Sequence, residues 1–337
     1  MTAVIKPAYD ENRNILANVL PLSTPFSILI EASSACNFKC NYCVHALPNQ
    51  KLRELNFIQK NMDWETFCIV LDQICEFKEK IKLIYLYRLG ESLLNKNLPR
   101  MVALLKEKEL ADKVGLITNG SLLTRENSAN LINAGIDVIK ISLQGLSSEK
   151  YQEICGVDID FKDFVHNIEY LYQNKNNCEI FVKIADTALN KEEERIVYKT
   201  FKNISDRMFV ENIRPWVEEI DYDEIGIKNE IISMYGTECA PQLVCSVPFY
   251  QLHINSSGDI LPCCYHINPT NFGNVRSISL KNVWESEERT EFLKMMLRKE
   301  RNVQNLYPVC NGCVLLNSCV RSEDVLDNDS DEILQRF

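Results

Sequence analysis

Between residues 26 and 213 the chain alternates two hydrophobic rhythms. Short β-rich runs, "FSILIEA" (26–32), "KLIYLYRLG" (82–90), "KVGLITNG" (113–120), "DVIKISLQG" (137–145), "EIFVKIAD" (179–186) and "RMFVENI" (207–213), are separated by longer stretches such as "NMDWETFCIVLDQICEF" and "DFVHNIEYLYQN". The apolar residues of those stretches have helical spacing, and "SLLTRENSANLINAG" ends on a glycine stop signal. Repeated strand–helix units predict an α/β fold with a parallel sheet, and six of them suit a partial (β/α)6 TIM-like barrel better than a closed eight.

Period-two alternation also assigns faces. Ile139, Ile141 and Leu143 should face the helices, as should Val182, Ile184, Met208 and Val210. Lys140, Ser142, Gln144, Lys183 and Glu211 then point into the barrel, where Arg88 and Glu31 are placed too. Together they describe a polar cavity at the strand ends, which is where barrel enzymes carry their chemistry. The alternation stops in an acidic, irregular stretch, "RPWVEEIDYDEIGIKNE", which reads as a connection to a second unit. This divides the chain into an N-terminal extension (1–25), a barrel (26–235) and a small C-terminal domain (236–337).

The balance of 37 Lys+Arg against 47 Asp+Glu, a formal charge of -10, opposes binding to nucleic acid or to anionic lipid. The N-terminal "MTAVIKPAYDENRN" lacks the layout of a signal peptide and no run approaches 18 apolar residues, so the chain reads as cytoplasmic with no membrane partner.

Fourteen cysteines in such a protein point to metal or redox chemistry rather than disulfides. Cys68, Cys75, Cys155 and Cys178 are scattered through helical or strand-like patterns and read as small buried hydrophobes. The others cluster. Cys36, Cys40 and Cys43 form CxxxCxxC on a loop after the first strand, with Tyr42 before the last cysteine. Three thiolates fall short of the four ligands of a structural zinc site, yet they suffice for an iron-sulfur cluster with one iron left open. Cys239, Cys245, Cys263, Cys264, Cys310, Cys313 and Cys319 make the second group.

At CxxxCxxC the sequence resembles the radical S-adenosylmethionine (radical SAM) superfamily. The resemblance implies that Cys36, Cys40 and Cys43 hold a 4Fe-4S cluster whose fourth iron chelates S-adenosyl-L-methionine. It implies further that one-electron cleavage of the cofactor gives a 5'-deoxyadenosyl radical that abstracts hydrogen from the substrate, with a flavodoxin- or ferredoxin-type protein as electron donor. Other motifs follow in order. "LGES" matches the family's Gly-Gly-Glu-Pro at Gly90 and Glu91 and departs from it at Leu89 and Ser92; "TNG" matches through Thr118, Asn119 and Gly120. "ISLQG" resembles Ser-Leu-Asp-Gly, with Ser142 retained and Gln144 in place of the acidic residue. Tyr42, Gly90, Glu91, Asn119, Ser142 and Gln144 are accordingly the cofactor-binding candidates.

The C-terminal group resembles SPASM and Twitch domains, which hold auxiliary 4Fe-4S clusters: "INSSGDILPCCY", "FGNVRSISLKNVWES" and "CNGCVLLNSC" fit that pattern. The full SPASM pattern has a further cysteine where this chain has Glu323, and no later cysteine follows. One auxiliary cluster on Cys245, Cys263, Cys310 and Cys313 is therefore expected, with Cys264 and Cys319 as spare or substitute ligands. A four-cysteine zinc knuckle has similar spacing. Of the histidines, His45 lies where it could touch cofactor or substrate, His253 and His266 flank the second group, and His166 falls in a helical pattern; packed or solvated roles compete for each.

Peptide-modifying members of the superfamily often carry a long recognition domain before the cluster loop, and here only 35 residues precede Cys36. A small polyol, sugar or aminocyclitol-type substrate is expected, oxidised or epimerised at a carbinol carbon. Lys183, Glu211 and Arg88 are candidates for binding hydroxyls or acting as base, and Cys319 (or Cys264), if not a ligand, could donate hydrogen in an epimerisation. The alternatives are a peptide- or protein-modifying enzyme, as in sulfatase maturation, and a noncatalytic iron-sulfur electron carrier, which would have no need of Gly90, Glu91 and Ser142.

Overall fold

The computed structural model describes residues 2–7, 13–227, 232–238, 241–263, 267, 269–300, 310, 313, 316 and 321–337. Nine strands form one sheet: β1 (Val4–Ile5), β2 (Ser27–Ile30), β3 (Ile81–Tyr85), β4 (Ala111–Thr118), β5 (Val138–Leu143), β6 (Glu179–Ala185), β7 (Arg207–Glu211), β8 (Gln251–Ile254) and β9 (Ile260–Leu261). Their order is β1-β7-β6-β5-β4-β3-β2-β8-β9, parallel throughout except for β8 against β9. The sheet does not close and is a partial barrel. The six expected strands are β2 to β7. Three strands lie outside those six: β1 pairs with β7 at one edge, and β8, with β9 beyond it, extends the sheet beside β2 at the other. The sheet thus runs across residue 235.

The helices are α1 (Leu16–Val19), α2 (Asn49–Glu54), α3 (Trp64–Ile74), α4 (Leu98–Glu107), α5 (Arg125–Asn133), α6 (Ser148–Cys155), α7 (Phe161–Gln173), α8 (Lys191–Phe201), α9 (Val247–Tyr250), α10 (Leu280–Trp284), α11 (Glu287–Leu297) and α12 (Ser330–Leu334). Their starts are written in short polar residues. Asp63, Thr124, Ser147 and Asp160 accept from the backbone three residues on, and Asn190 with Glu193 makes a capping box. Such caps are each worth about 1 kcal/mol.

Strand parity holds. Ile139, Ile141, Leu143, Val182, Ile184 and Met208 are buried in the main core, and Val210 packs against it. The opposite face carries a separate small cluster in which Leu29 and Tyr85 meet Leu83 and Tyr87. So the inward face is not uniformly polar: Tyr85 and Tyr87 stand edge to face at 5.7 Å, and Lys140 Nζ lies 4.5 Å from the Tyr85 ring centre. In the C-terminal region Arg289, buried and with no carboxylate partner among the described residues, donates to Pro248 O (2.8 Å) and Trp284 O (2.9 Å) and ties α11 to α9. Burial lowers its pKa to about 9.

Candidate functional site

The loop carrying Cys36, Cys40 and Cys43 leaves β2 and is held from three sides. Below it, α6 ends at Gly156, whose φ of 65° closes the helix. The last-turn carbonyls this leaves without helical partners are taken by the loop: Asn41 N donates to Ile154 O (2.9 Å) and Lys39 N to Cys155 O (3.0 Å). From β3 comes "LGES". Gly90 passes so close that a Cβ there would lie 2.3 Å from Ser33 O and 2.5 Å from Ala35 O, so no other residue fits. Glu91 N then donates to Ala35 O (2.8 Å).

The Glu91 side chain is 2% exposed. Its carboxylate accepts from Leu93 N (2.9 Å), Thr118 Oγ1 (2.8 Å) and Asn119 N (2.7 Å), so it joins the β3 and β4 loops. Burial still raises its pKa, against those three bonds. Asn119 donates its amide to Asn37 Oδ1 (2.9 Å) and toward Cys36 Sγ (3.9 Å), and accepts from Ser121. Phe38 N also donates to Cys36 Sγ (3.4 Å).

On the third side, Tyr42 donates to Gln144 Oε1, and Gln144 N donates to Tyr151 Oη at 3.2 Å. A neutral amide at 144 thus supplies the acceptor a buried phenol requires. His45, whose pKa burial lowers, places Nε2 3.0 Å from Leu89 O and its ring against Phe57, so it fastens the cluster loop to "LGES".

The acidic stretch expected as a mere connection does more. Trp216, Val217 and Ile220 pack with Val44, Leu52 and Cys43, and Tyr222 Oη donates to Tyr42 O (3.1 Å) while accepting from Trp216 N and Val217 N. Only the aromatics inside an acidic run could have signalled this from the sequence.

Burial is the main reason that the Cys36 and Cys43 thiols are pushed up to about 12; each also feels the charge of Cys40, and Cys36 that of Glu91 and Cys43. Such thiols bind as thiolates only when a cation offsets the cost, which is the situation of a cluster ligand. Cys40 is raised first by its contact with Cys155, whose Sγ lies 3.5 Å away. Cys155 is buried, as expected of it, but it is part of this site.

Further into the barrel, Ser142 and Lys183 are register partners on β5 and β6. Lys183 Nζ donates to Glu211 Oε2 at 2.6 Å, the two side chains 16% and 13% exposed. Arg88 and Glu31 do reach the interior but are occupied there: Arg88 Nη1 lies 3.5 Å from Glu31 Oε1, and Nη2 donates to Ile267 O at 3.4 Å. Glu31 also accepts from Leu89 N and Ser256 N. Beside them His253, on β8, is fully buried, and among the described residues neither ring nitrogen has a hydrogen-bond partner. Burial, and then Arg88, lower its pKa to about 3.

The second thiol group is assembled by the C-terminal region. Cys245 lies just before α9 and Cys263 just after β9. Burial raises the Cys245 thiol, and Cys263, Cys313 and Cys310 raise it further, so all three lie within charge–charge reach of Cys245. Cys264, Cys319 and His266 lie outside the described residues. His166 is on the exposed side of α7, 4.0 Å from Asp163. Among the described residues, no three His, Cys, Asp or Glu side chains close around a single ion-sized point; a 4Fe-4S cluster instead spreads its thiolates over separate irons. No helix of the described residues is long and apolar enough to cross a membrane.

Residues 30–196 match the family model of the radical SAM superfamily, and residues 245–314 match SPASM, an iron-sulfur cluster-binding domain. The chain is similar to the tungsten-containing aldehyde ferredoxin oxidoreductase cofactor-modifying protein of Pyrococcus furiosus, 26% identical over 339 residues that cover 88% of this chain and 90% of that one. Among solved structures it resembles BtrN in complex with AdoMet and 2-DOIA (TM-score 0.56, 19% identity, 89% of this chain and 98% of that one). It also resembles anSMEcpe with bound AdoMet (TM-score 0.59, 19% identity, 93% and 92%). At such identity these two show a shared fold. The domains bring S-adenosyl-L-methionine, a 4Fe-4S cluster and auxiliary iron-sulfur binding, and the two groups of half-buried thiols suit those cofactors. The chain belongs to the radical SAM superfamily and carries a SPASM iron-sulfur domain at its C-terminal end.

Proposed function

We propose that this radical SAM enzyme is an oxidoreductase acting on a small polyol, sugar or aminocyclitol-type substrate, by dehydrogenation or epimerisation of a carbinol centre. The observation that carries the reading is the Lys183–Glu211 pair, 2.6 Å apart near the C-terminal ends of β6 and β7, with Lys183 the register partner of Ser142. Cys36, Cys40 and Cys43 would hold the 4Fe-4S cluster. Tyr42, Gly90, Glu91, Asn119, Ser142 and Gln144 would border S-adenosyl-L-methionine, and Cys245, Cys263, Cys310 and Cys313 one auxiliary cluster. When bound, these groups supply one-electron hydrogen abstraction and an electron acceptor.

The chain's own part is positioning and proton handling. Lys183 donates to a substrate oxygen and keeps the Glu211 carboxylate oriented, and Glu211 accepts the hydroxyl proton. Tyr85 and Tyr87 present an apolar floor that suits the carbon face of a ring. Arg88, already neutralised by Glu31, shapes the wall. A flavodoxin- or ferredoxin-type donor would deliver the electrons.

The test is deuterium transfer into 5'-deoxyadenosine from carbon-deuterated polyols, sugars and peptides under reducing, anaerobic conditions. Label arriving from a polyol or sugar is the expected result. Label arriving from peptides alone overturns the reading in favour of a peptide or protein modifier.

A further inference from the structure

Cys155 is fully buried at the last turn of α6, and nothing in the reaction outlined above uses it. Its carbonyl accepts from Lys39 N (3.0 Å), which fixes its distance to the cluster loop, and its Sγ lies 3.5 Å from Cys40 Sγ. Once Cys40 binds iron it does so as a thiolate without a proton of its own, and the only hydrogen left between the two sulfurs is that of Cys155.

We infer that Cys155 is a positioning residue for the radical SAM cluster: its S–H donates to the Cys40 ligand sulfur and raises the cluster's reduction potential. The inference rests on the reading of Cys40 as a cluster ligand. Its physical basis is charge. Reduction adds an electron to a cluster whose sulfurs already carry negative charge, and a donor aimed at one of them stabilises the reduced form more than the oxidised form. Asn119 and Phe38 N direct donors at Cys36 in the same way, and at Cys40 the Tyr42 side chain already acts in the sense that favours the thiolate, so Cys155 would add to that support.

The experiment compares full-length wild type, Cys155→Ala, Cys155→Val and Cys155→Ser, each reconstituted anaerobically. Potentiometric titration is followed by EPR, and the N-terminal cluster is identified as the signal altered by adding S-adenosyl-L-methionine. In Cys155→Ala, iron content should hold while the midpoint falls enough to lower the reduced fraction about tenfold at fixed potential, ~59 mV for one electron. Cys155→Ser, which keeps a donor, should recover most of that shift, and a residue that only fills space would not be rescued in this way. Cys155→Val tests the same point without a cavity should the alanine variant fail to fold. An unchanged midpoint in Ala and Val with the cluster intact overturns the inference. Absence of any S-adenosylmethionine-responsive signal in wild type is a different failure, that of the ligand reading, and it removes the inference with it.

Discussion

Cys36, Cys40 and Cys43 lie within eight residues of a single loop, whereas Cys245, Cys263, Cys310 and Cys313 come from segments far apart in the chain. The two groups are brought to order by different means. The first is too short to enclose a cluster and relies on the barrel around it: α6 carbonyls below, Gly90 and Glu91 from β3, Asn119 from β4, and Trp216 with Tyr222 from the acidic stretch. The second is drawn together by tertiary structure, with β8 and β9 delivering Cys263 and the Arg289 fastener holding α11 to α9 beside Cys245. A one-loop set of three leaves one iron of a cluster open for a small molecule; a set of four drawn from three segments can ligate all four irons. The contrast suits an iron that must bind a cofactor in one place and a cluster that only exchanges electrons in the other.

Removing single cysteines should expose that contrast most strongly. Replacing Cys36, Cys40 or Cys43 by Ala should reduce S-adenosylmethionine cleavage to the level seen without enzyme. Replacing Cys245 or Cys263 should leave cleavage measurable and abolish product. Iron analysis provides the count: about eight irons in wild type and about four in either class of variant. A wild-type protein with about four irons would break the comparison, because one of the two groups would then hold no cluster.

Next in size is the pair inside the barrel. Lys183→Met or Glu211→Gln should lower turnover by about 10²–10⁴-fold, the usual range for a lost acid–base group. Cofactor cleavage should continue uncoupled from product. Equal loss of cleavage and product in Glu211→Gln would show that this pair belongs to the cofactor's site rather than to the substrate's.

The sequence makes part of this arrangement legible, for identifiable reasons. Period-two alternation placed Lys183 and Glu211 on one face because a strand has only two faces, and spacing located the cysteines because a metal-binding loop is local. Relations between distant segments have no such signature. Nothing in "KYQEIC" says that Cys155 ends a helix against Cys40. Nothing in "FYQLHI" says that β8 will pair with β2 instead of staying in its own unit. Arg88 and Glu31 were assigned to the interior, yet their mutual neutralisation depends on two loops meeting and is visible only in three dimensions. His45 likewise lay near the right place, and its bond to Leu89 O gives it a fastening role.

Gly90→Ala tests how closely the first group depends on its surroundings. A Cβ 2.3 Å from Ser33 O meets backbone, which cannot swing aside as a side chain would. A cost of about 1–3 kcal/mol is expected, as for other overpacked sites. It should appear as a lowered Tm and poorer iron loading at the N-terminal cluster, with the auxiliary cluster retained. Unchanged Tm and loading would mean that the loop tolerates displacement and that the barrel does not hold it as tightly as the hydrogen bonds imply.

The smallest effect concerns the joint between the two regions. His253 lies on β8, the strand that attaches the C-terminal region to the barrel sheet, and its pKa of about 3 is below the ordinary value of 6.5. The unfolded chain therefore binds a proton between those values that the native state refuses, so stability falls as pH drops from about 6.5 toward 3 and is insensitive to this group above that window. The slope is at most about 1.4 kcal/mol per pH unit for one such group. His45, also depressed by burial, contributes to the same acid limb, so the diagnostic quantity is a difference. His253→Asn should flatten the fall in Tm between pH 6.5 and 5 relative to wild type, and hydrogen exchange should show β8 and β9 opening earlier than β5 and β6 as wild type is acidified. If the wild-type and variant pH profiles superimpose, the imidazole is not the group that sets the acid sensitivity of this joint.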